Sequence, residues 1–135
     1  MKRALAWGAG ALCAATLSLA HAEGAALRCL VTYAGATQEV RAQPMPDPYD
    51  ARRVDIGGRF WFKPVLVGQG VRVDYIALYA YEDTRHGPVL IQQAKYLPPF
   101  PATPTPLPLT GEQHLYAGPV ERELIYQCTL EGHQP

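Results

Sequence analysis

The sequence predicts an all-β fold, an antiparallel β-sandwich closed by one disulfide between its first and last strands. Three observations predict it. Apolar residues recur at every second position in one segment after another, which is the period of a strand with one buried face. No stretch beyond the amino-terminal leader keeps a helical period. Beyond that leader only Cys29 and Cys128 remain, one near each end, so a bond between them would hold the ends of the chain together.

The leader comes first. Lys2 and Arg3 form a short positive head, residues 4–20 are free of charge and mostly apolar, and Ala20-His21-Ala22 places small residues at the positions a signal peptidase reads. Cleavage after Ala22 is expected, leaving residues 23–135 as a single domain in the periplasm or secreted further, with no membrane span after processing. In that oxidising setting two cysteines pair, and closing so long a loop stabilises a fold by up to ~4.7 kcal/mol on the chain-entropy model. A redox role would call for a C-x-x-C at a helix start, and neither cysteine has that setting.

Residues 26–33 alternate, with Leu27, Cys29, Val31 and Tyr33 on one face, and Ala34-Gly35-Ala36 turns the chain into 37–43 as a hairpin. Prolines 44, 46 and 48 break the pattern and 53–56 restart it. Gly57-Gly58 allows a bend, and 59–67 is apolar on both sides, as a central strand is. After Gly68-Gln69-Gly70, residues 71–83 place Val71, Val73, Tyr75, Ala77, Tyr79 and Tyr81 on one face. Residues 88–97 read as a further strand, and 120–130 alternate with Leu124, Tyr126, Cys128 and Leu130 together.

Between these last two strands lies LPPFPATPTPLPLTG, residues 97–111, with six prolines. An interdomain linker is excluded because only one strand and a short tail lie beyond it, and a lone strand cannot bury its own apolar face. The stretch is therefore read as a crossover inside one domain, held extended by proline. It also resembles the proline-rich segments that aromatic grooves grip, which makes Pro98, Pro99, Phe100, Pro101, Leu107 and Leu109 candidate partner-binding residues. That use requires Phe100, Leu107 and Leu109 to face solvent.

Tyr126-Gln127-Cys128 resembles the Tyr-x-Cys of immunoglobulin domains, with Cys29 and Trp61 as the matching first cysteine and core tryptophan. The cysteines stand 99 positions apart and Trp61 lies 32 after Cys29, spacings that depart from that family, so the resemblance implies a loosely immunoglobulin-like sandwich and no membership.

The chemistry is bounded by absences. No serine follows the leader and the chain has no asparagine, so serine nucleophiles and N-glycosylation acceptors are excluded. Without Lys2 and Arg3, ten basic residues face twelve acidic ones, which gives no pull toward nucleic acid. His86, His114 and His133 are weak metal candidates with no ligand spacing. Asp55 and Asp74, in the similar strings Arg53-Val54-Asp55-Ile56 and Arg72-Val73-Asp74-Tyr75, would form an acid–base pair only if their strands lay side by side. Tyr75, Tyr79 and Tyr81 are candidate sugar-stacking residues, although the valines that share their face favour a core position. No catalytic residue and no cofactor are assigned. The expectation is a non-catalytic binding module of a bacterial-type envelope with a protein partner; a carbohydrate- or metal-binding module is the alternative, and a small acid–base enzyme comes third.

Overall fold

The computed structural model describes residues 24–135, so the expected leader and its cleavage position lie outside the described residues. Nine strands form in the order β1 (Ala26–Tyr33), β2 (Ala36–Ala42), β3 (Val54–Ile56), β4 (Phe60–Gln69), β5 (Arg72–Thr84), β6 (Gly87–Tyr96), β7 (Leu107–Pro108), β8 (Gln113–Ala117) and β9 (Arg122–Glu131). Single 3₁₀ turns at Pro48–Asp50 and Gly118–Val120 are the helical elements among the described residues. The nine strands pair with one another antiparallel, in two sheets: β2-β1-β9-β7, with β8 also on β9, and β3-β4-β5-β6; a lone parallel bridge joins Met45 to Val67 of β4.

Local chemistry places the strands. Ala34 and Gly35 take positive φ angles of 51° and 78°, the two-residue turn whose twist suits a hairpin, and they set β2 on β1 with Tyr33 opposite Ala36. The sheets meet through the alternating positions. Leu27, Cys29 and Val31 from β1 and Leu124, Tyr126, Cys128 and Leu130 from β9 join Phe60, Phe62, Leu66, Ile76, Leu78 and Ala80 in one buried cluster. The rings of Phe62 and Tyr126 lie 5.0 Å apart across the two sheets. The double-sided apolar strand, β4, is flanked by β3 and β5, as its pattern requires.

The disulfide joins Cys29 to Cys128. These residues are direct partners on β1 and β9, with Cα atoms 4.1 Å apart, so the bond runs within one sheet. The immunoglobulin bond ties two sheets instead. Tyr126 also departs from the tyrosine corner, for its hydroxyl donates to the side chain of Gln92 on β6. Burial pushes the Tyr126 phenol up to about 12, with Tyr96 adding to the shift.

The proline stretch leaves β6 in one sheet and reaches β7 in the other. It is anchored at both ends. Phe100 is buried in the main core, edge-on to His133, and the His133 ring nitrogen donates to the Pro101 carbonyl at 2.9 Å. Leu109 N–H donates to the Cys128 carbonyl and Cys128 N–H donates to the Thr110 hydroxyl, both at 2.9 Å. The crossover is thus stitched to the strand that carries the disulfide.

Candidate functional site

Most strand edges in the fold are short or charged. On β2, Glu39 holds Arg28 and Arg41, whose guanidinium groups keep its carboxyl below the usual range, with Arg41 contributing most. β3 has three residues and β7 two, one of them Pro108. β8 carries His114, clamped between Glu123 at 2.7 Å and Glu112 at 3.0 Å. The longest edge is β6, ten residues, paired among the described residues with β5 alone and uncharged from Gly87 to Ala94, with Pro88 near its start and a register shift at Ile91. Val89 and Leu90 on it are 49% and 48% exposed, an uncharged apolar stretch lying between Pro88 and the irregularity at Ile91.

Beside that edge lies the outer face of the same sheet. Trp61 stands opposite Tyr81, Lys63 opposite Tyr79, Val65 opposite Ala77 and Val67 opposite Tyr75, while β6 sets Gln93 beside Tyr79 and Lys95 beside Ala77. Val65, Val67 and Ala77 are buried on this outer side, with Ala51, Tyr75 and Tyr79 packed against them. Three cations lie over the rings: Arg53 over Trp61 at 5.0 Å, Lys63 over Tyr79 at 5.6 Å and Lys95 over Tyr75 at 4.3 Å. Tyr79 and Tyr81 stack at 6.5 Å with their planes 20° apart.

The expectation of a core position for Tyr75, Tyr79 and Tyr81 is corrected here. They are half-buried on the outside of the sandwich, and the main core takes the opposite face of β5, Ile76, Leu78 and Ala80. A register shift between Val67 and Gly68 is the reason. It turns Val73 into the main core, while Val71 lies exposed in the turn before β5, so the stripe that looks continuous in sequence is broken in space. Gly68 permits the shift, because a Cβ there would sit 2.1 Å from the Arg72 carbonyl oxygen.

Solvent-facing Phe100, Leu107 and Leu109 are likewise corrected. Phe100 is 5% exposed, and Leu107 and Leu109 are half-buried against the main core, which removes the apolar grip that docking there would need. Pro98, Pro99 and Pro101 remain on the surface beside an exposed Leu97. The histidines are not brought together: His86 sits in the β5–β6 turn, His114 between its two glutamates and His133 in the carboxy-terminal tail. Among the described residues no group of three or more His, Cys, Asp or Glu side chains is placed to hold a metal ion. Asp55 and Asp74 face opposite ends of β4, near Trp61 and Gly68, roughly 20 Å apart by strand rise. Asp55 accepts from Gly58 N–H and Asp74 pairs with Arg72, so the acid–base pair does not form. A cleft of about 610 Å³ opens between strand ends near Ala25, Arg41 and Gly132, with no tyrosine or histidine among the described residues of its wall.

Sequence reasoning missed Arg53, Lys63, Lys95 and the β6 edge. One signal was there to be read: after residue 22 the sequence has only two lysines, and both fall on strands flanking the tyrosine strand. No protein-family model matches the chain, and no curated protein and no solved structure resembles it significantly. Among the described residues no helix is long and apolar enough to cross a membrane, and the disulfide fits an oxidising compartment.

Proposed function

We propose that this chain is a non-catalytic binding module of the cell envelope that receives an extended segment of a partner protein along β6. The observation that carries the reading is the edge of β6, unpaired among the described residues and, at ten residues, longer than any other edge strand; beyond Pro88 it is uncharged from Val89 to Ala94, whereas the other edges are shorter or charged. An added strand would satisfy the outward backbone groups of β6 and cover Val89 and Leu90, gaining affinity from main-chain hydrogen bonds and selectivity from alternate side chains. Export through the leader supplies the compartment. The proline crossover acts as structural cover in this reading.

The test is hydrogen exchange on the exported protein with and without a partner captured by crosslinking in envelope extract and then purified. Slowed exchange confined to β6, together with loss of binding by a folded Val89→Lys variant, supports strand addition. Unchanged exchange in β6, or full binding by that variant, overturns it.

A further inference from the structure

The outer face of the β3–β6 sheet raises a question separate from the edge. It gathers four aromatic rings, Trp61, Tyr75, Tyr79 and Tyr81, and three cations. The cations include both lysines found after residue 22. None of Arg53, Lys63 and Lys95 has a carboxylate within ion-pair distance among the described residues; each is held by a ring instead. Three carboxylates share this face: Asp55 and Asp83 stand toward one end, by the Gly57-Gly58 and Thr84–Gly87 turns, and Asp74 stands at the other, outward beside the inward Val73 and paired with Arg72. The middle of the platform is therefore positive and aromatic.

The packing also says how the rings lie. Ala77 is 1% exposed and Val65 1% exposed although both point outward, with Tyr75, Tyr79 and Ala51 packed on them, so the tyrosines cover the sheet and turn their other side to solvent. Onto that side the lysine ammonium groups fold. A neutral ligand would have to push them away. An anionic one draws each ammonium from ring to carboxylate and leaves the ring face free for stacking.

Two kinds of anionic chain have to be told apart. An acidic peptide crossing this face would find β4 and β5 already paired on both sides and no backbone partner for its own amides. An acidic polysaccharide has no such need, since its C–H faces stack on aromatic rings while its hydroxyls stay in water. We infer that this face binds an acidic, uronate-type polysaccharide, with sugar rings on Tyr79, Tyr81 and Trp61 and carboxylates on Lys63, Lys95 and Arg53.

The test uses the full chain with Trp7→Phe, which leaves Trp61 as the single tryptophan and its emission as the report from the platform. Hexagalacturonate, maltohexaose and hexaglutamate are titrated in turn, with calorimetry as a second readout. The inference expects saturable binding of hexagalacturonate alone, weakened about tenfold or more between low salt and ~1 M salt. A Lys63→Gln/Lys95→Gln variant with an unchanged thermal melt is expected to lose a similar factor, about tenfold. Equal binding of hexaglutamate overturns the polysaccharide assignment in favour of charge alone, and equal binding of maltohexaose overturns the anionic one. No binding of hexagalacturonate by either readout overturns the inference altogether, and leaves the β6 reading to its own test.

Discussion

His114 shows how single residues in this chain are set by their neighbours. Its ring nitrogens face Glu123 and Glu112, and the hydrogen bond to Glu123, then that to Glu112, raises its pKa above the ordinary 6.5. A group raised on folding adds stability that is complete below its unfolded pKa and fades as pH climbs through the folded one. The β8 clamp therefore strengthens the fold below about pH 6.5 and loosens above the raised value. Nuclear magnetic resonance titration of the His114 ring is expected to give a midpoint above 6.5 in the wild type and a lower one in Glu123→Gln. A midpoint unmoved by that substitution would show that the clamp does not hold in solution. None of this was legible in sequence, where Glu112 and Glu123 flank His114 without any sign that β8 would pair with β9 to bring Glu123 alongside.

The crossover at residues 97–111 shows the same limit at the scale of an element. Its prolines announced an extended, irregular segment, and that much is what the structure holds. Which of its apolar residues point inward depended on the core beneath. Phe100 fills a gap beside His133, and Leu107 sits opposite Leu130 on β9. Phe100→Ala is accordingly expected to cost about 3 kcal/mol in urea denaturation, since it empties a buried aromatic site. Pro104→Ala, at an exposed position, is expected to cost under ~1 kcal/mol. Equal and small effects would mean that Phe100 is not part of the core. β7 and β8 were missed for a related reason: two and five residues carry too little period to stand out, and both exist because β9 offers them a paired edge.

For the whole molecule the governing constraint is that the chain ends as it began, in one sheet. β1 and β9 are neighbours along eight residue pairs, and the disulfide crosses between them at Cys29 and Cys128, 99 positions apart. Replacing both cysteines by alanine is expected to remove roughly 2–5 kcal/mol while the strand pairing persists, because the bond mainly restrains the unfolded chain. Thermal melts of the oxidised protein, the reduced protein and the double variant check this. Equal melting of all three would show that pairing alone holds the ends.

The sequence by itself determined the all-β class, the disulfide, the central position of β4 and the inward faces of β1 and β9. Period-two alternation and cysteine count are local properties, and a strand with one apolar face has little choice about where that face goes. Tertiary structure decided the rest. Whether Tyr75, Tyr79 and Tyr81 line the core or the outside rested on a one-residue shift at Gly68, and alternation cannot reveal a shift that moves every side chain beyond it to the other face. The meeting of Lys63 with Tyr79, and of Lys95 with Tyr75, likewise exists only after register joins three strands, because contacts across a sheet are set by pairing and not by distance along the chain.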